Sequence, residues 1–241
     1  MISRSLALAV IFLLCCADAF AQTSPPPCAP ARPGQGCRGD WAFLARYREE
    51  NVSLKADRSR VVFLGDSITE AWAKEPFFTA NPHYVGRGIG GQTALQMLVR
   101  FRADVIALRP RLVHIMAGTN DVAENEGPES DEEIEGAIQS MVELALASHI
   151  KVLLASIPPA ADFPWHPGLK PIARIRRLNE WIESYAKHAG VGYVDYWPAL
   201  ATQAGAMKPA LSLDGVHPSS KGYAAMAPLA QAAIESALGR E

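Results

Sequence analysis

The sequence predicts an α/β fold, a three-layer α/β/α sandwich built on a five-stranded parallel sheet. Three observations carry this. Five short runs of aliphatic and β-branched residues recur along the chain, each apolar on both faces, as strands covered by helices on either side must be. Between them lie longer segments whose apolar residues repeat at helical spacing. The 241 residues, 49% hydrophobic and 20% charged, suffice for one sizeable core, and no internal repeat or second linker divides them.

Taken in order, the chain opens on a segment that stands outside the fold. Arg4 supplies a positive start, Leu6 to Cys16 is an apolar run of eleven, and Ala19-Phe20-Ala21 is a small-x-small cleavage site before Gln22. Spanning a bilayer takes about twenty apolar residues, so residues 1–21 read as a signal peptide with no stable membrane anchor. The mature protein is then expected in a periplasm or outside the cell. Residues 22–58 form an arm whose two cysteines, Cys28 and Cys37, lie in a Pro/Gly-rich stretch and are expected to close a short disulfide loop. No second cysteine pair completes a zinc set, and no metal or cofactor is expected. Asp40 reads as the cap of a helix through Trp41, Leu44, Tyr47 and Arg48, ending near Asn51.

The domain proper is expected over residues 59–241. Its strand runs are Val61-Val62-Phe63-Leu64, Tyr84-Val85, Leu112 to Met116, Val152 to Ala155 and Val191 to Val194. The helical segments are Leu95 to Leu108, Ile134 to Ala145, Ile172 to Tyr185 and about Ser219 to Leu238. In an open parallel sheet, ligands bind beyond the carboxyl ends of the strands. The runs there empty into Gly65-Asp66-Ser67, Gly88-Ile89-Gly90-Gly91-Gln92, Gly118-Thr119-Asn120-Asp121 and Ser156-Ile157-Pro158, with Asp214-Gly215-Val216-His217 after the fifth.

Charge points the same way. Lys plus Arg number 23 against 25 for Asp plus Glu, a formal charge of −2, so no basic footprint for nucleic acid exists and a partner must be recognised at a site.

Gly65-Asp66-Ser67, Gly90-Gly91, Gly118-Thr119-Asn120-Asp121 and Asp214-x-x-His217 together resemble the four blocks of the SGNH, or GDSL-type, hydrolases, in the same order. The resemblance covers most of residues 61 to 236, with Ile68 where the name motif has Leu. Within that family the chain is most similar to the platelet-activating-factor acetylhydrolase-like and secreted acetylesterase branches. The likeness implies a flavodoxin-like fold and a serine esterase acting on a small acyl-ester substrate through an acyl-enzyme.

Chemistry asks for the same residue types. Ser67, on a strand-to-helix turn, is the candidate nucleophile, His217 the base that takes its proton, and Asp214 the group that sets the imidazole tautomer. The family pattern assigns the oxyanion donors to the Ser67 and Gly91 N–H groups and the Asn120 amide, with Gly90 the alternative to Gly91. Trp165 and His166, in the long loop after strand four, are candidates for substrate contact, against a plain reading as loop packing; Asp162 shares that choice. Arg174, Arg176 and Arg177 read as a solvated helix face. The rival functions are a lysophospholipase or acyl thioesterase, and a non-catalytic carbohydrate-binding module.

Overall fold

The computed structural model describes residues 39–239, so the expected signal segment and the Cys28–Cys37 disulfide lie outside the described residues. The first helix, α1 (Arg48–Ser53), starts later than the sequence predicts. Phe43 has a φ of 57°, a left-handed value through which no α-helix continues. The Asp40 carboxylate caps a turn there instead, accepting from the Leu44 and Ala45 N–H groups at 2.7 and 3.0 Å.

Strands β1 (Val61–Gly65), β2 (Tyr84–Gly88), β3 (Leu112–Met116), β4 (Lys151–Ala155) and β5 (Gly192–Val194) form one parallel sheet in the order β2-β1-β3-β4-β5. Period-two alternation then sorts the side chains. Val62, Leu64, Val113, Ile115 and Leu154 face one side, where α4 (Ala94–Asp104), α6 (Asp131–Ala147) and α7 (Ile172–Ala189) pack. Val61, Phe63, Leu112 and Leu153 face the other, under α2 (Ser67–Trp72), α3 (Pro76–Thr79) and α9 (Ser220–Gly239). This is the sandwich the sequence predicts. Ser130 and Glu133 form a reciprocal capping box that starts α6. Helix α4 stops at Asp104, short of the expected Leu108, because Val105 leaves helical geometry at φ −126°.

The short helices α2, α3, α5 (Thr119–Val122) and α8 (Trp197–Leu200), four to six residues long, lie below the length at which periodicity is legible. Two of them, α2 and α5, carry the site. Gly65 pairs with Gly88 on one side and Met116 on the other, so β2, β1 and β3 end level. The chain reverses its direction of winding between β1 and β3, which opens the crevice where such sheets bind ligands.

Beneath that crevice lies an aromatic cluster. The ring of Phe63 stands 5.9 Å from Trp72 and 5.0 Å from His114, and Nε2 of fully buried His114 meets the Tyr196 hydroxyl at 3.0 Å. Burial pushes the His114 imidazole down to about 3, so the folded protein holds it neutral. The unfolded chain binds that proton below about pH 6.5, so stability rises with pH through this window and is lost as pH falls. Urea unfolding is therefore expected to show His114→Gln losing ~2 kcal/mol less stability than the parent between pH 6.5 and pH 5. Equal pH slopes in the two proteins would refute the assignment, whatever the buried carboxyls contribute to both.

Candidate active site

Ser67 is the first residue of α2, directly after the level strand ends. Asp66 caps the helix, its Oδ1 accepting from the Ile68 N–H at 2.9 Å. From the far end of the chain, the Tyr223 hydroxyl of α9 donates to the Ile68 carbonyl at 2.9 Å, and its ring stacks on Trp72 at 5.9 Å. The turn is also wedged by β2. A Cβ on Gly88 would overlap the Glu70 nitrogen and come within 2.6 Å of the Asp66 carbonyl oxygen, so only glycine lets the two backbones meet. Tyr47 seals this point by donating its hydroxyl to the Gly88 carbonyl.

His217 approaches from a loop that closes on itself before α9. The Leu213 N–H and the Ser212 hydroxyl both donate to the His217 carbonyl, at 2.9 and 3.1 Å. Asp214 Oδ1 accepts from the Val216 and His217 N–H groups at 3.0 and 2.8 Å, while Oδ2 meets His217 Nδ1 at 2.7 Å. Partial burial pushes the Asp214 carboxyl up, but the His217 N–H and ring and the Val216 N–H together hold it below the usual carboxylate range. An ionised carboxylate only accepts, so the proton is assigned to Nδ1. Nε2 then presents a lone pair to the Ser67 hydroxyl, 3.0 Å away.

The loop after β2 passes close to Ser67, where a Cβ on Gly90 would lie 3.8 Å from the Ser67 Cβ. The Gly90 N–H is engaged, donating to Glu70 Oε2 at 2.8 Å, and Glu70 is in turn paired with Arg46 at 3.2 Å. Gly91, with φ 78°, has an N–H without a partner among the described residues. Of the two glycines the sequence left open, Gly91 is thus the one with a donor to offer. Asn120, on α5, reaches both the Ser67 turn and the Gly91 loop, its Nδ2 3.0 Å from the Gln92 carbonyl and 3.4 Å from Asp66 Oδ2. Burial raises the Asp66 carboxyl to about 6, offset in part by the Ile68 N–H, the His217 charge and the Thr119 hydroxyl. Behind these loops Arg100 is fully buried and donates to the Gly65 carbonyl at 3.0 Å and to Gln92 Oε1 at 2.6 Å.

The loop after β4 reaches this edge. Trp165 remains 44% exposed with its ring 5.8 Å from that of His217, and its Nε1 donates to Asn125 Oδ1 at 2.8 Å. His166 lies against the Ala123 carbonyl at 2.9 Å and ties the loop to the end of α5, while Asp162 accepts from the Phe163 and Gly168 N–H groups and stitches the loop to itself. The three arginines do more than meet solvent: Arg174 and Arg177 pair with Asp131, and Arg176 lies over the Trp197 ring. Among the described residues no three His, Cys, Asp or Glu side chains gather as a metal site. Sequence reasoning missed Glu70, Arg100, Tyr223 and Asn125, which act through neighbours brought close only by folding.

A sequence profile of the GDSL-like lipase/acylhydrolase family matches residues 63–225, which include Ser67, Gly91, Asn120, Asp214 and His217. The chain belongs to this family. A GDSL-like lipase from Bacteroides thetaiotaomicron VPI-5482 superposes with a TM-score of 0.78 at 47% identity, covering 81% of this chain and 98% of that one. An acetylxylan esterase from Geobacillus stearothermophilus superposes with a TM-score of 0.60 at 23% identity, covering 78% and 98%, a likeness of fold. No curated protein matches the sequence. Family membership makes the protein a carboxylic ester hydrolase. The wedge at Gly88 is the steric condition for the family's first block here. Gly88→Ala is expected to cost about 3 kcal/mol in urea unfolding, and an unchanged unfolding midpoint would show that the two backbones can separate.

Proposed function

We propose that the protein is an exported esterase that removes small O-acyl groups, acetyl foremost, through an acyl-enzyme on Ser67. The observation that carries this reading is the hydrogen-bonded line from Ser67 Oγ to His217 Nε2 to Asp214, at 3.0 and 2.7 Å. As Ser67 Oγ attacks the ester carbonyl, its proton passes to Nε2, and Asp214 stabilises the imidazolium. The carbonyl oxygen, now an oxyanion, takes hydrogen bonds from the Ser67 and Gly91 N–H groups and the Asn120 amide. Collapse breaks the bond to the alcohol oxygen, which leaves with the proton from Nε2. Water then attacks the acyl-Ser67 ester, gives its proton to Nε2, and the second collapse frees the carboxylic acid and returns the proton to Ser67.

Because His217 hands its proton to the leaving alcohol, groups beside His217 border the alcohol side. Trp165 there offers an exposed ring face, which suits a sugar or aryl alcohol. The preference for a short acyl group rests on the economy of the donor loops. Only residues 89–93 join β2 to α4, and only 117–118 join β3 to α5, so neither has chain to spare for walling a fatty-acyl groove. Export rests on the signal-like residues 1–21.

Ser67→Ala is expected to abolish hydrolysis of p-nitrophenyl acetate and labelling by a fluorophosphonate, and Asn120→Ala to lower kcat by about 10²–10³. Full hydrolysis by Ser67→Ala would overturn the nucleophile and bring forward a carbohydrate-binding role. Across the p-nitrophenyl series from acetate to dodecanoate, kcat/KM is expected to peak at acetate. A peak at decanoate or dodecanoate would replace the acetyl reading with a lysophospholipase or thioesterase.

A further inference from the structure

Asn125 has spent its whole side-chain amide on the site. It follows α5, where Glu124 adopts φ 55° and turns the chain back so that the Asn125 N–H donates to the Asn120 carbonyl at 3.0 Å. Its Nδ2 donates to Asn120 Oδ1 at 2.7 Å and lies 3.3 Å from the Gly91 carbonyl, and its Oδ1 accepts from Trp165 Nε1 at 2.8 Å. An indole nitrogen only donates and a carbonyl only accepts. Rotating the Asn125 amide by half a turn would therefore set an acceptor against two acceptors and a donor against a donor. One orientation survives.

We propose that Asn125 is a positioning residue for ester hydrolysis: held by Trp165, it sets the Asn120 amide and the Gly91 peptide in the arrangement that receives the oxyanion. This rests on the oxyanion reading given above. With Oδ1 of Asn120 occupied by Asn125, its Nδ2 faces the other way: one hydrogen goes to the Gln92 carbonyl at 3.0 Å, and the other, in a long 3.4 Å contact with Asp66, is the one that can turn to the ester. The Gln92 carbonyl favours the same orientation, so Asn125 narrows the swing of the amide and does not alone prevent a flip. Gly91, a glycine at positive φ, gains a restraint on its carbonyl side. The indole that borders the leaving alcohol is thereby joined to the donors that hold the acyl oxygen, through a single side chain.

The test is a double-mutant cycle with p-nitrophenyl acetate on the whole protein. Asn125→Leu, which keeps the bulk and removes the hydrogen bonds, is expected to lower kcat about 10–100-fold with KM within about threefold, the pattern of a lost transition-state contact. In an Asn120→Ala background the same change is expected to alter kcat by less than about threefold, since the group it acts through is gone. Trp165→Phe keeps an aromatic face, removes the N–H together with part of the ring, and is expected to lower kcat about fivefold, again without effect beside Asn125→Leu. Additive losses in either pair, or a raised KM with unchanged kcat, would overturn the proposal. If Asn125→Leu fails to fold, by circular dichroism, the Trp165→Phe and Asn120→Ala pair decides it alone. Ser67→Ala serves as the control: an active Ser67→Ala defeats the underlying reading, while an inactive one beside unchanged Asn125 and Trp165 variants defeats only this inference.

Discussion

Three strands ending at one level is the constraint from which the site follows. Gly65, Gly88 and Met116 lie side by side, so the chains leaving β1, β2 and β3 enter the crevice at the same height. Level ends alone would leave the loops apart. Contact comes from Gly88, whose missing side chain lets the end of β2 touch the start of α2 and brings Gly90 beside Ser67. A residue with a Cβ at 88 would push the end of β2 away from the start of α2, and the loop after β2 away from Ser67.

Support for this junction comes from buried polar groups that would be costly in any other place. Arg100 is fully buried and paired with Asp104 at 3.1 Å, and such pairs add little net stability because each ion has left water. Two further N–H groups go to Gly65 and Gln92, which makes the guanidinium a brace between the Ser67 turn and the Gly91 loop. Tyr223 and Trp72 brace the same turn from the other face of the sheet. The site is thus held between the two cores, on short helices with little freedom of their own.

Much of this was legible in the residues. Strands buried on both faces and long amphipathic helices write their periods into the sequence, and Ser67, Asn120, Asp214 and His217 stand in short motifs at the ends of such elements. Asp214 and His217 lie three residues apart, so their contact is nearly local. What escaped has a common cause. Helices of four to six residues are too short for a period, and the left-handed Phe43 breaks a segment whose side chains otherwise spell a helix. Asn125 reads as an ordinary turn residue, because Asn before Glu-Gly is what a turn requires. Its partners Gly91 and Trp165 are 34 and 40 residues distant.

The residues alone set the layers, the runs that become strands and the chemical kinds of group available: a hydroxyl, an imidazole, a carboxylate and amide N–H groups. Those follow from local periodicity and residue type. Tertiary structure decided which of them meet. It placed Ser67 Oγ 3.0 Å from a ring 150 residues away, spent the Gly90 N–H on Glu70 and left that of Gly91 available, and turned Trp165 toward His217 while His166 went to the Ala123 carbonyl. The physical reason is that hydrogen bonds are decided over tenths of an ångström, while sequence patterns report only which face of an element a residue occupies.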